Sequence, residues 1–97
     1  MGDLRFEWDP KKARANLAKH GVSFEEAQTA FSDEGGLLLD DPESPAEEER
    51  FVLLGLSAKL RVLVVVHCYR EGEAVIRLIS ARKADRLERQ QYVTRNS

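Results

Sequence analysis

The sequence predicts an α+β fold in which helices pack on an antiparallel β-sheet. Four segments, residues 4–8, 50–57, 60–70 and 75–81, show the alternating or continuous apolar patterns that are typical of strands. Two segments near the amino terminus and one near the carboxyl terminus combine helix-capping residues with apolar residues spaced three or four apart. The 97 residues suffice for one domain, residues 1–97, with a single two-layer core.

Short helices are predicted on either side of Gly21. Asp9 is a good N-cap and Pro10 is preset for the first helical position, so the first helix starts there. Gly21 ends it, because glycine readily adopts the left-handed conformation that follows a helix. Ser23 and Glu26 have the spacing of a capping box, which predicts the start of a second helix.

The rest of the chain predicts a meander of strands closed by a helix. Residues 37–39 suit a short edge strand, and residues 41–49, with two prolines and five acids, suit a loop. Short connections join the strands at residues 50–57, 60–70 and 75–81, and the apolar run 62–66 indicates that the middle strand is central. A last helix is predicted at residues 84–93. We expect this carboxyl-terminal helix and the two amino-terminal helices to pack on one face of the sheet.

Charge is distributed unevenly along the chain. Residues 1–49 contain 5 Lys and Arg against 13 Asp and Glu, whereas residues 50–97 contain 10 against 4. The net charge of −2 therefore hides a basic carboxyl-terminal half. Five cations and a serine lie within thirteen residues where the last strand meets the last helix: Arg77, Ser80, Arg82, Lys83, Arg86 and Arg89. This stretch predicts a site for an anionic ligand, and a merely solvated basic surface has the same pattern.

Composition argues against several classes of protein. Cys68 is the only cysteine, so the chain has no internal disulfide framework. It contains no apolar run of 18 residues and no signal-type amino terminus, so we expect a cytoplasmic protein that does not associate with membranes. The two histidines and the cysteine lack metal-ligand spacing, and we expect neither a metal nor another cofactor.

Motifs along most of the chain resemble those of a known family. In the amino-terminal half they are Phe6-x-Trp8-Asp9-Pro10-x-Lys12, Asn16, Lys19-His20-Gly21-Val22-x-Phe24 and Glu26-Ala27. In the carboxyl-terminal half they are Arg50, Gly55, residues 63–67, residues 76–84 (IRLISARKA), Glu88-Arg89 and Tyr92. In combination these motifs resemble the BrnT toxins of bacterial type II toxin–antitoxin systems, over residues 6–92.

The resemblance implies a fold, an activity and a partner. It implies a RelE-like fold and a ribonuclease toxin that cleaves mRNA without a metal, and so inhibits translation and growth. It also implies a ribbon-helix-helix antitoxin, similar to BrnA, that neutralises the toxin in a heterotetramer. The alternative function is a noncatalytic module that uses the basic strand–helix surface to bind nucleic acid or a protein partner.

The chain contains candidates for each part of metal-free RNA cleavage. That reaction needs a base for the 2′-hydroxyl, cations for the charge that builds on phosphorus, and an acid for the leaving oxygen. His67 titrates near neutrality and is the candidate base or acid, with Arg77 and Arg82 as the other catalytic candidates. The candidates for substrate binding are Lys12, Lys19, Arg70, Ser80, Lys83, Arg89 and Tyr92. Tyr92 is suited to stacking on a base or donating a proton.

The position of His67 relative to the arginines depends on the turn after Arg70. A turn of three residues places His67 opposite Arg77, whereas a turn of four places it with Ser80 and Arg82. Either arrangement predicts a cluster of His67 and arginine on the sheet face that no helix covers. The competing interpretation is that His67 is a half-buried strand residue with a satisfied hydrogen bond.

Overall fold

The protein consists of a five-stranded β-sheet and three α-helices, which a computed structural model describes over residues 4–97. In chain order the elements are β1 (Arg5–Glu7), α1 (Pro10–His20), α2 (Phe24–Thr29), a 3-10 helix (Ala30–Ser32), β2 (Leu37–Asp40), β3 (Phe51–Leu56), β4 (Val62–Arg70), β5 (Val75–Lys83) and α3 (Arg86–Arg95). The strand order is β1-β5-β4-β3-β2. Residues 1–3 of the predicted domain lie outside the described residues. The α+β class and the central position of β4 are confirmed.

The sheet is mixed, whereas the sequence predicted an antiparallel one. β1 runs parallel to β5, with Arg5 opposite Val75 and Glu7 opposite Arg77. The other neighbouring strands are antiparallel. A parallel neighbour needs a long connection, and the elements between β1 and β5 supply it. The alternating pattern of β1 identified a strand but carried no information about its partner.

α1 and α2 cover one side of the sheet, which we call the helix face. Phe24 and Ala27 of α2, with Val22 just before it, are fully buried there. They pack against the strand residues that point to this side, namely Leu53, Leu63, Val65, Ile76, Leu78 and Ala81. Burying a large apolar side chain contributes roughly 1.5–3 kcal/mol. This layer contains ten buried residues of the apolar cluster, against three on the other side of the sheet, so it provides the larger part of the hydrophobic core.

α3 packs on the opposite side of the sheet, which corrects the prediction that all helices share one face. Tyr92 of α3 contacts a small apolar cluster of Leu54, Val64 and Ala84. Leu54 and Val64 alternate with the helix-face residues of β3 and β4, so they point to the other side. Both sides of β4 are thus partly covered, which explains its continuous apolar run.

Polar contacts hold α3 in place, since none of its residues is buried. Asp85 caps the helix by accepting a hydrogen bond from the Glu88 N–H, and the Glu88 carboxylate accepts one from the Asp85 N–H. The Tyr92 hydroxyl donates a hydrogen bond of 2.6 Å to Asp33, which lies between the 3-10 helix and β2. A few polar and charged side chains therefore determine where α3 sits.

The second half of β5 has no strand beside it on one side, and Asn16 of α1 completes that edge. β1 pairs only with residues 75–77 of β5. The buried Asn16 amide donates to the Ala81 carbonyl oxygen at 2.8 Å and accepts from the Ala81 N–H at 3.0 Å. It also donates to the Val22 carbonyl oxygen at 2.9 Å. Asn16 thus replaces a neighbouring strand and fastens α1 to the sheet.

The turn between β4 and β5 contains four residues, 71–74, one of the two lengths considered from the sequence. This register pairs His67 with Leu78. If it continued without interruption, His67 would share a face with Ser80 and Arg82, because side chains alternate along a strand. The prediction rested on that continuity.

An extra residue in β5 breaks the continuity. Val66 pairs with Ser80 while its neighbour His67 pairs with Leu78, so Ile79 has no partner in β4. A bulge of this kind shifts the side chains beyond it to the other face. Ser80 therefore points away from His67, and the predicted grouping of the two is wrong.

Candidate functional site

His67 lies on the helix face and is fully buried, with 0% of its surface exposed. Its ring packs edge-on against Phe31 of the 3-10 helix, with ring centroids 4.8 Å apart, and against Tyr69, at 5.4 Å. The prediction that His67 clusters with arginines on an uncovered face is therefore wrong. His67 is a core residue of β4. It is more deeply buried than the half-buried residue of the competing interpretation.

The environment of His67 favours a neutral ring. Burial holds the pKa of His67 below its ordinary value of 6.5, because a charged imidazolium is costly away from water. Nδ1 lies 3.1 Å from the Val65 carbonyl oxygen, which assigns the ring proton to Nδ1. Nε2 is buried without a hydrogen-bond partner among residues 4–97. In this conformation His67 has no access to a substrate, so the geometry does not support its predicted catalytic role.

The side of the sheet opposite the helix face, which we call the arginine face, unites four predicted residues. Arg77, Ser80 and Arg82 each pair with alternate residues of β4, and Arg70 continues the same series. Paired residues and alternate residues of a strand point to the same side. Without the bulge, Arg77 would point to the opposite side from Ser80 and Arg82. The bulge therefore assembles this face.

At one end of the arginine face, Glu7 of β1 contacts two arginines. Its Oε2 accepts a hydrogen bond of 2.9 Å from Arg77 Nη1 and lies 3.7 Å from Arg70 Nε. The side chains of Glu7, Arg77 and Arg70 are 40%, 32% and 47% exposed. Glu48 also reaches Arg70, at 3.4 Å. Two guanidinium groups are thus held close together where a dissolved ligand can reach them.

At the other end of this face, Arg82 forms a bidentate ion pair with Glu88 of α3. Both hydrogen bonds are 2.8 Å long. They hold the pKa of Glu88 below its ordinary value and raise the pKa of Arg82. Asp41 and Glu43 line the same groove, whose volume is about 380 Å³. Acids outnumber the one arginine here, so Arg82 fastens α3 rather than offering a site for an anion.

Tyr92 was predicted to contact substrate, but its hydroxyl serves the attachment of α3. The hydrogen bond to Asp33 raises the pKa of Tyr92 to about 12. Asp33 also accepts hydrogen bonds from the backbone N–H groups of Leu56 and Gly35, so its carboxylate is firmly placed. Release of the Tyr92 proton is disfavoured in this arrangement, which argues against proton donation to a substrate.

A shallow depression of about 220 Å³, which we call the edge depression, lies along the part of β5 that lacks a neighbouring strand. It is lined by Lys12, Ala15, Asn16, Lys19, His20, Ile79 and Ser80. Lys12 and Lys19 are two turns apart and share one side of α1. No carboxylate lines the depression, and neither lysine has an ion-pair partner within the described part of the chain.

Two predicted residues belong to neither group. Lys83 is exposed at the end of β5, where it pairs with Leu63. Arg89 of α3 is exposed and donates a hydrogen bond of 2.9 Å to the Ala84 carbonyl oxygen. Among residues 4–97, no ion pair or hydrogen bond connects either side chain to Glu7.

Glu7 and Glu48 contact the arginines, and the sequence predicted neither. The alternating pattern of β1 places Glu7 on its polar side, but the pairing that brings it to Arg77 is not visible in the sequence. Glu48 lies in the acidic segment 41–49, which has no strand or helix pattern. Its hydrogen bond with Arg50 holds the pKa of Glu48 below its ordinary value. Only the unbalanced charge of the two chain halves indicated such contacts.

Two further observations concern metal binding and membrane spanning by the described residues. Within residues 4–97 no three side chains of His, Cys, Asp or Glu are grouped so as to hold a metal ion. The helices in the same range are each too short or too polar to cross a membrane.

The fold and site together define a small α+β protein with exposed, closely spaced guanidinium groups, a surface suited to an anionic ligand such as nucleic acid. Residues 8–88 match the model of the family described as ribonuclease toxin, BrnT, of type II toxin–antitoxin systems. The chain therefore belongs to the BrnT family of ribonuclease toxins, and the resemblance seen in the sequence is confirmed. Such a toxin has RNA as its substrate and an antitoxin as its partner.

A solved structure shows the same fold. The chain is similar to the ribonuclease toxin BrnT of Brucella abortus, whose crystal structure has a resolution of 1.1 Å. The TM-score is 0.62 at 24% sequence identity, and the alignment covers 87% of this chain and 100% of that one. At this identity the likeness concerns the fold alone. No curated protein sequence matches the chain.

We predict that burial of neutral His67 destabilises the protein as the pH falls below 6.5. The folded-state pKa lies below that of the unfolded chain, so the unfolded chain binds the proton more readily and the free energy of unfolding decreases on acidification. His67→Phe removes this contribution. Urea denaturation at about pH 7.5 and about pH 5.5 should show a smaller difference for His67→Phe than for the wild type.

The control for this comparison is Tyr69→Phe, a substitution beside the His67 ring that leaves the histidine in place. It should show the wild-type dependence on pH, because burial raises the pKa of Tyr69 above its ordinary value of 10.0, outside this range. Carboxylates with lowered pKa, such as Glu26 and Glu88, lose their stabilising contribution only as the pH falls below 4.5, outside this range. Equal pH dependence in wild type and His67→Phe would contradict the buried neutral ring.

Proposed function

We propose that this BrnT-family toxin is an endoribonuclease that cleaves mRNA in the cytoplasm without a metal ion, on a fold of the RelE-like kind. The observation that carries the proposal is the pair of partly exposed guanidinium groups, Arg70 and Arg77, that converge on Glu7. Two such groups can bind the nonbridging oxygens of one phosphate and stabilise the charge that builds on it during cleavage. Loss of mRNA would stop translation and growth.

The sheet gives these arginines a rigid support. Glu7, Arg77 and Arg70 stand on β1, β5 and β4, which are consecutive neighbours in the sheet. Groups held on paired strands keep their relative positions better than groups on loops. Arg77 makes one hydrogen bond among residues 4–97, to Glu7, so most of its five N–H donors are available to a phosphate.

The edge depression supplies a second set of cations for the RNA backbone. Lys12 and Lys19 carry the positive charge, and Ser80 lies both here and on the arginine face. Phosphate contacts by lysine position a nucleic acid without reading its sequence. We propose that RNA follows the edge of β5 from the depression toward Arg77.

Noncatalytic binding of nucleic acid or a protein partner is a second candidate function, and a different observation favours it. Arg70, Arg77 and Arg82 are each paired with an acid of the same chain, and His67 is enclosed in the core. A phosphate or an acidic partner can exchange with these internal acids without any bond being cleaved. Product formation separates the two functions.

We expect the purified protein to cleave a defined mRNA in EDTA, with or without ribosomes, and to leave 2′,3′-cyclic phosphate ends. Arg77→Ala should lower the rate by about 100-fold or more, because it removes a donor to the charged transition state. The matched control, Arg14→Ala, removes one positive charge from the exposed side of α1 and should cleave like the wild type. Electrophoresis and end-group analysis of the products provide the measurement.

Two outcomes of this experiment contradict the proposal. If clean, folded wild type yields no product even with ribosomes, the noncatalytic module becomes the better description. If EDTA alone abolishes cleavage, the activity depends on a metal. Circular dichroism of each variant separates a lost function from a lost fold.

Lys12→Ala and Lys19→Ala should weaken binding of an RNA whose 2′-hydroxyls are all methylated, so that it cannot be cleaved. Each lost phosphate contact should reduce the slope of log affinity against log salt by about 0.7, the value for single strands. Fluorescence anisotropy at several salt concentrations measures both affinity and slope. Slopes equal to those of the Arg14→Ala control would place the RNA elsewhere.

We propose that the antitoxin is of the ribbon-helix-helix class and that its dimer holds two toxins in a heterotetramer by covering the arginine face together with the exposed side of α3, which packs on the same side of the sheet. The attraction of Glu7, Glu48 and Glu88 to this face supports an inhibitor with acidic side chains. Arg82→Glu would repel Glu88 and disturb α3, so exposed Arg89 is the better residue to change.

Arg89→Glu should weaken the purified toxin–antitoxin complex by about 10-fold or more, since like charges across an interface are costly. Isothermal titration measures the affinity, with Arg14→Glu as the control that makes the same charge change on α1. Light scattering measures the mass of the complex. Unchanged affinity would move the interface away from α3, and a one-to-one mass would exclude the heterotetramer.

A further inference from the structure

The arginines that stabilise charge in the proposed ribonuclease reaction do not supply a base. Metal-free cleavage requires a group that removes the proton of the 2′-hydroxyl. His67 is buried on the helix face, and Tyr92 is hydrogen-bonded to Asp33. The base must lie beside the arginines that bind the phosphate and must have an atom that is available to the substrate.

We propose that Glu7 is the general base of this reaction, an inference that rests on the proposed ribonuclease function. Its Oε2 accepts the hydrogen bond from Arg77 and lies beside Arg70. Its Oε1 accepts no hydrogen bond from residues 4–97. One oxygen thus orients the carboxylate between the two phosphate-binding groups, and the other is available to the 2′-hydroxyl. The side chain is 40% exposed, which lets the substrate reach it.

The other acids that pair with arginines of this face, Glu88 and Glu48, lack such an oxygen. Glu88 uses both oxygens for Arg82, and one of them also accepts the Asp85 N–H. Glu48 uses one oxygen for Arg50 and the other faces Arg70. These contacts are internal to the chain and occupy both carboxylates. Glu48 also stands on an irregular segment, whereas Glu7 is fixed by the pairing of β1 with β5.

The reaction that follows from this geometry is an internal transfer. Glu7 Oε1 takes the proton of the 2′-hydroxyl, and the 2′-oxygen forms a bond to phosphorus while the bond between phosphorus and the 5′-oxygen breaks. Arg77 and Arg70 donate hydrogen bonds to the nonbridging oxygens as their charge increases. The 5′-oxygen takes a proton from water, and the resulting hydroxide takes the proton back from Glu7. The products are a 2′,3′-cyclic phosphate and a 5′-hydroxyl.

Single-turnover cleavage of a defined RNA by Glu7→Gln tests this assignment. The amide has nearly the same shape and can still bond to Arg77, but it cannot accept the proton. We expect the rate to fall by about 100-fold or more, whereas affinity for the fully 2′-O-methylated RNA remains near that of the wild type. The matched control is Glu71→Gln, because the Glu71 carboxylate also pairs with an arginine, Arg5, at this end of the sheet but, among residues 4–97, forms no ion pair with Arg70 or Arg77.

A second variant separates base catalysis from support of the arginines. Glu7→Ala leaves space for a small carboxylate, so sodium formate should restore part of its cleavage rate. Sodium chloride at the same ionic strength should not. Restoration by formate identifies the missing function as that of a carboxylate base, since formate cannot rebuild a lost strand contact.

Each remaining outcome overturns the assignment. If the wild type cleaves and Glu7→Gln cleaves equally well, another group is the base and the ribonuclease proposal stands. If Glu7→Gln loses affinity for the methylated RNA as much as it loses rate, Glu7 only positions the arginines. Loss of cleavage in Glu48→Gln but not in Glu7→Gln would give the role to Glu48. Failure of the wild type to cleave at all would end the ribonuclease proposal and this inference with it.

Discussion

The pairing of β4 with β5 determines where nearly every chemically active side chain points. These two central strands form the longest ladder of the sheet, and the unpaired Ile79 divides it into two registers. Before that residue the ladder directs His67 into the core; after it, Ser80 and Arg82 join Arg77 on the opposite side. In a ladder without the bulge, Arg77 would point to the opposite side of the sheet from Ser80 and Arg82. The bulge therefore decides which of these side chains share a face of the sheet.

The sequence predicted the local elements well because their signals are local. Asp9, Ser23 and Gly21 act as the predicted caps, and the α+β class follows from the patterns. The parallel partner of β1 and the side on which α3 packs depend on contacts distant in sequence, so periodicity carries no information about them. For the site, the sequence identified arginines that gather on one face, but a single bulge reversed the inference for His67. The catalytic assignments themselves stay predictions.

Electrostatic asymmetry along the chain becomes complementarity in the folded protein. The acidic amino-terminal half contributes Glu7 and Glu48, and the basic carboxyl-terminal half contributes Arg70 and Arg77. These contacts are partly exposed, so each is worth little in stability and is readily exchanged for another anion. The arginines are thus held in position by weak internal partners. In the proposed function, a phosphate that binds these arginines meets groups that are already oriented.

The manner in which α3 is attached has a consequence for the native ensemble. None of its residues is buried, and its position depends mainly on the polar contacts of Arg82, Asp33 and Tyr92. Segments with few buried apolar contacts open at a low free energy. The segment is therefore expected to open as a separate cooperative unit, well below the energy that unfolds the sheet. Its amide protons would exchange with solvent sooner than those of β4. In such a toxin the sheet stays folded while α3 opens and closes on one side of it.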